Sequence, residues 1–131
     1  MNARENQGTL RVAVDGLKHA RGSVRVYLFK SQDNVMHMKE ASRTLAFKPS
    51  EGEAVASFEA LDFGDYALSA FHDENDNGAV DHKFGVPAEP IGFSNGFRLG
   101  LLSGRPTFEK LRIPFHKDGE TIRITLQGVF G

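Results

Sequence analysis

Ser23-Val-Arg-Val-Tyr-Leu-Phe-Lys30 is the stretch whose reading decides the fold. In an extended segment Val24, Val26 and Leu28 fall on one side and Arg25, Tyr27 and Phe29 on the other, because successive strand side chains point to opposite faces. Both sides carry bulky apolar groups, so the segment reads as a central strand covered on two faces. Upstream, Gly22 marks a turn, and Leu10, Val12 and Val14 alternate with Arg11, Ala13 and Asp15 as in a strand with one buried face. Downstream, Asp33 or Asn34 is placed to cap a short helical turn across Val35 to Ala41, a region with too few apolar positions for a long helix.

The same period of two continues. Leu45 to Lys48 and Glu53 to Ala60 read as two strands of a hairpin turning at Pro49 to Gly52, and Gly64 to His72 as another central strand. Leu111, Ile113 and Phe115 alternate around Pro114, which favours an edge, and Ile122, Ile124 and Leu126 alternate after the Asp118-Gly119 turn. Short strands separated by turn signals, with no helix of ten or more residues, predict an all-β fold. The expected form is a Greek-key β-sandwich of about seven strands, immunoglobulin/transthyretin-like, with a small closed barrel as the alternative. Residues 1–8 are polar and are expected to form a disordered tail, leaving 9–131 as a single sandwich domain.

Composition fits one globular core. The chain has 131 residues, of which 40% are hydrophobic and 25% charged, including 11 Phe. A net charge of -1 provides no overall positive field, which argues against nucleic acid as a partner. The absence of cysteine excludes disulfides, thiolate metal sites and cysteine nucleophiles. No apolar run approaches the roughly 18–20 residues of a transmembrane segment, and no apolar stretch follows a basic start as in a signal peptide.

Asp73 to Phe97 is too rich in Gly, Asn, Asp and Pro to be one regular element, and long connections of this kind concentrate function. It opens with Asp73-Glu-Asn-Asp-Asn-Gly78, then Asp81. Oxygen side chains stand at loop positions one, three, five and nine with glycine at six, the front half of a calcium-loop pattern. Position twelve is Phe84 rather than a bidentate Glu, so a calcium ion would need further oxygens from Glu89, Asp76 or backbone carbonyls. The candidate metal ligands are therefore Asp73, Asn75, Asn77, Asp81 and Glu89, with calcium as the cofactor. The same residues suit an Asx-rich turn that needs no metal.

Other groups carry weaker signals. His72, Asp73, His82 and Glu89 have the residue types of a hydrolytic or zinc site, against which stands a His72 that simply ends a strand at the surface. Met36-His37-Met38 offers soft copper ligands or gap-filling methionines. Arg98, Arg105, Lys110 and Arg112 make either a solvated basic face or an anion-binding one. Phe84, Phe93, Phe97 and Phe108 either fold the long loop down onto the sandwich or, if exposed, mark a partner surface. Ser94 stands in no nucleophile motif.

One resemblance joins these features. Gly64-Asp-Tyr-Ala67 leads through Phe71-His-Asp-Glu-Asn-Asp-Asn-Gly78 to Asp81, followed by Gly85-Val-Pro-Ala-Glu-Pro-Ile-Gly-Phe-Ser-Asn95 and Pro106-Thr-Phe-Glu109. This order and spacing resembles the bacterial family called domain of unknown function 2141, over Leu10 to Leu126. The hallmark positions are Asp73, Asn75, Asn77, Gly78, Asp81, Pro87, Glu89, Gly92, Phe93, Ser94 and Asn95. The resemblance implies a small bacterial β-sandwich, usually made with an export leader and so periplasmic, outer-membrane-associated or secreted. It transfers no catalytic residue, and since no leader pattern is read at the start of this sequence, the location that the resemblance implies is expected where such a leader has been removed. The resulting expectation is a non-enzymatic binding or assembly domain, periplasmic or secreted, whose partner is a protein or a carbohydrate. The alternatives are a metal-dependent hydrolase using His72, Asp73 and Glu89, and a carbohydrate or small-ligand binder.

Overall fold

The computed structural model describes residues 6–49, 53–80, 82–83, 86–87, 89–100 and 102–128. Two sheets face each other. One has the order β10 (Thr121–Thr125), β1 (Gln7–Asp15), β4 (Glu53–Asp62), and the other the order β3 (Arg43–Phe47), β2 (Ser23–Phe29), β5 (Gly64–Asp73), β8 (Ile91–Phe93). The short β9 (Ile113–Phe115) pairs with the first part of β5, while β6 (His82–Lys83) and β7 (Val86–Pro87) form a separate two-stranded ribbon. The expected all-β sandwich is what forms.

The alternation read from sequence sets the faces. Leu10, Val12 and Val14 of β1 meet Val24, Val26 and Leu28 of β2 in the core between the sheets, with Phe58, Leu68, Phe115 and Ile124. A second apolar cluster covers the outer face of the five-stranded sheet and contains Phe29, Ala67, Phe71, Ile91, Phe93 and Leu111. Tyr27, Met38, Phe97 and Phe108 pack against it, so the long connections form a third layer and β2 and β5 are buried on both faces. Burying a phenylalanine side chain fully, as at Phe29 and Phe71, contributes about 1.5–3 kcal/mol.

Several expectations need correction. The hairpin of Leu45 to Ala60 does not exist: β3 pairs with β2 and β4 with β1, so the chain crosses between sheets at this point. Alternation reports which face is buried and not which strand lies alongside. Gln7 and Gly8, expected to lie in a tail, pair with Asp62 and Leu61 of β4, and residues 1–5 of that expected tail lie outside the described residues. Gly8 reads as featureless, yet a Cβ there would come within 2.9 Å of the Asp118 backbone, whose carboxylate accepts from Thr9 N at 2.7 Å. Leu111 belongs to a helical turn, α1 (Phe108–Leu111), capped by Thr107, instead of to the strand that follows. A short helical turn forms within Val35 to Ala41, at Met38–Glu40, without a side-chain cap. Of the two cap candidates, Asn34 accepts from Met36 N at 2.9 Å just before it, whereas the Asp33 carboxylate accepts from Lys30 N at 2.8 Å and Ser42 Oγ at 2.6 Å and so closes the connection between β2 and β3.

The unanticipated pairing is β1 with β10, which is parallel, from Arg11↔Thr121 to Asp15↔Thr125. On one side the sheets approach through Gly92 of β8, where a Cβ would lie 2.6 Å from Thr125 O, and through the isolated pair Ile91↔Gln127. On the other side Arg43 of β3 reaches across to Glu59 O of β4 at 2.8 Å, its guanidinium 5.5 Å from the Phe58 ring centre.

Candidate functional site

The β1–β2 loop, the start of the β3–β4 connection and the acidic loop after β5 meet at one end of the sandwich. Their meeting point is Asp73, the last residue of β5, which pairs with Ser23 of β2 and has no exposed surface. Its carboxylate accepts from Arg25 Nε at 2.8 Å, Gly78 N at 2.7 Å and Asn77 N at 3.1 Å. The loop turns back over it because Asp76 and Gly78 take positive φ, 55° and 81°. Burial pushes the Asp73 carboxyl up, but the Arg25 guanidinium and the amides of Gly78 and Asn77 outweigh this and hold it below the usual carboxylate value. Arg25 in turn holds its proton more tightly, chiefly through its bond to Asp73.

The neighbouring side chains are tied to this hub. Asp76 accepts from Ser23 Oγ at 2.8 Å and faces Arg25 at 3.4 Å and Lys48 at 3.7 Å. Asn77 Oδ1 accepts from Ala79 N at 3.0 Å. Glu89 is buried, and its carboxylate accepts from Glu74 N at 2.7 Å, which pins the residue after Asp73. Of the five expected metal ligands, Asp73 and Glu89 therefore hold adjacent backbone, Asn75 and Asn77 are exposed, and Asp81 lies outside the described residues.

His72 does not end its strand at the surface. Its register opposite Val24 turns it inward, with no exposed surface. Its Nε2 donates to Arg21 O at 2.6 Å, while its buried Nδ1 has no hydrogen-bond partner. The β1–β2 loop can come this close because Gly22 has φ 73° and no side chain: a Cβ would stand 2.1 Å from Asp73 O. The same loop brings in His19, whose ring centre is 4.7 Å from that of His72 and whose Nε2 is 2.6 Å from Glu74 Oε2. Sequence reasoning missed both His19, 53 positions away from His72, and Arg25. The signal for Arg25 was its charge within a central apolar strand, which demands a partner.

Elsewhere Ser94 is structural. Its buried hydroxyl accepts from Leu68 N at 2.9 Å and donates to Leu111 O at 2.5 Å. Leu68 lies between the part of β5 paired with β9 and the part paired with β8, so the serine fills a gap in the ladder. Phe93, Phe97 and Phe108 fold the long connection onto the second cluster, and Phe84 lies outside the described residues. Met38 packs on the same cluster, whereas Met36 is half exposed. Lys110 donates to the carbonyls of Ser103 and Arg105, and Arg112 pairs with Asp65 and Glu109, so part of the basic C-terminal third is used locally.

A family model described as an uncharacterized protein conserved in bacteria, domain of unknown function 2141, matches residues 12–123. The chain belongs to that family. The match runs from β1 into β10 and so takes in every residue of this end of the sandwich named above. No curated protein and no solved structure matches the chain. Among the described residues, no helix of this family member is long and apolar enough to cross a membrane.

Proposed function

We propose that this chain is a non-enzymatic binding or assembly domain of the bacterial envelope, and that its acidic loop is a contact loop shaped by its own hydrogen bonds rather than by calcium. The observation that carries this reading is the engagement of Asp73, which takes one guanidinium and two loop amides with no exposed surface. A loop fixed in advance loses less conformational entropy when it binds. It holds Asn75, Asp76 and Asn77 outward on a rigid sandwich, where a polar partner meets them first. The hydrolase reading has less support, because His72, Asp73 and Glu89 are each engaged by a carbonyl, an amide or a guanidinium and none is exposed.

The reading is tested by titrating the chelator-stripped chain with Ca²⁺, for wild type and Asp73→Ala, with melting curves alongside. No saturable heat and no calcium-dependent Tm shift are expected, together with a lower Tm for the variant at every calcium concentration. One-site binding that disappears in the variant would overturn the metal-free loop. Binding itself is read by placing a photocrosslinker at Asn75 or, at the far end, at Lys117 in cells with an intact envelope. A discrete adduct from Asn75 alone, lost in Asp73→Ala, is expected. Equal yields from both positions would refute the assignment of the loop, and adducts to glycan instead of protein would make the partner a carbohydrate.

A further inference from the structure

We propose that His19, His72 and Glu74 form a site for one divalent transition-metal ion of the zinc class, beside the acidic loop and sharing none of its five expected calcium ligands. One ring nitrogen from each histidine and one carboxylate oxygen of Glu74 lie within 4.8 Å of one another. Bonds of about 2.0–2.1 Å place tetrahedral ligands about 3.3 Å apart. The observed 2.6 Å between His19 Nε2 and Glu74 Oε2, and the 4.8 Å within which a His72 ring nitrogen joins them, bracket that spacing.

A second, independent observation points to a ligand. His72 has no exposed surface, and its Nδ1 has no hydrogen-bond partner. Its Nε2 faces the carbonyl of Arg21 at 2.6 Å and must therefore carry the proton, which leaves the free lone pair on Nδ1. Metal-binding histidines commonly have this arrangement, one nitrogen on the metal and the other donating to a backbone carbonyl that fixes tautomer and ring orientation. His19 at present accepts from Arg21 N at 3.1 Å through Nδ1. To bind through Nε2 it exchanges tautomer and gives up that contact. The side chains of His19 and Glu74 are 24% and 36% exposed, which gives an ion a path from solvent and leaves a fourth position open to water. Two imidazoles and one carboxylate suit zinc, copper or nickel, whereas calcium selects oxygen ligands alone. The site is independent of the contact-loop reading: it needs only Glu74 at the loop's second position.

The test uses the full chain without a polyhistidine tag, stripped with chelator and titrated with Zn²⁺ by calorimetry. Melting curves and side-chain nitrogen NMR run in parallel. One-site binding is expected, with a rise in Tm and shifts confined to His72 Nδ1 and His19 Nε2. His19→Ala and Glu74→Gln should each weaken binding at least tenfold while keeping a folded NMR spectrum, and Glu74→Gln preserves shape in case the smaller side chain at position 19 loosens the loop. His37→Ala with His116→Ala should leave binding intact. Unchanged affinity in Glu74→Gln, loss of binding in the His37/His116 variant, or no saturable binding by wild type would each overturn the site. Saturable calcium binding sensitive to Asp73→Ala would overturn the metal-free loop and leave this assignment standing.

Discussion

Replacing Ser94 by alanine removes one oxygen and leaves the backbone and Cβ in place, so its cost isolates the hydroxyl's two ties. Ser94 is 1% exposed, and its hydroxyl takes Leu68 N at 2.9 Å and gives its proton to Leu111 O at 2.5 Å. Neither backbone group has solvent to turn to, and each buried group left unsatisfied costs about 1–3 kcal/mol. Partial relaxation brings the expected total to about 2–4 kcal/mol. Urea unfolding followed by far-ultraviolet circular dichroism reads this directly, since a slope of about 2 kcal/mol per molar turns it into a midpoint lowered by about 1–2 M. The exposed Ser31→Ala serves as the control and should stay within about 0.5 kcal/mol of wild type. A Ser94→Ala protein as stable as that control would show that Ser94 does not bridge the gap between β8 and β9.

Two further outcomes follow from the geometry. Gly92→Ala places a methyl 2.6 Å from Thr125 O and 2.7 Å from Ile124 Cγ2, so about 3 kcal/mol or more should be lost, and an unchanged melting temperature would refute the close approach of β8 to β10. Asp33 has its carboxyl pKa lowered by the Lys30 amide and then by Ser42. A lowered folded-state value contributes stability that is complete above the unfolded pKa of about 3.9 and is lost as pH falls through the folded value. Asp33→Asn should thus melt below wild type at neutral pH, with a gap that closes in acid; a gap independent of pH would be evidence against the carboxylate's role.

The strands read from the sequence were β1, β2, β3, β4, β5, β9 and β10, whose apolar positions recur with a period of two between turn signals. For these the burial of Val12, Val26 and Ile124 follows from pattern alone. Neighbour relations could not be read, because period two fixes a face and leaves the adjacent strand unspecified; the hairpin expected at Leu45 to Ala60 and the parallel β1–β10 pair both fall there. β8, at three residues, is too short to show a period, whereas β9 was read through Ile113 and Phe115, with Leu111 of the preceding helical turn counted into it. At the candidate site the acidic loop was legible by composition, and the hub at Asp73 lies within it. His19 and Arg25 were not legible, because their partners stand 55 and 48 positions along the chain at Glu74 and Asp73, and only the fold brings them together.

The parallel contact between the first and last strands also has a mechanical side. Tension applied through residues before Gln7 and after Thr125 draws β1 and β10 past each other lengthwise, because neighbouring strands that run the same way are pulled from opposite ends. The bonds across five aligned residue pairs then carry the load side by side and must give way together, whereas strands pulled apart from a shared end peel open one bond at a time. Stretched between two attachments, this sandwich resists as a clamp.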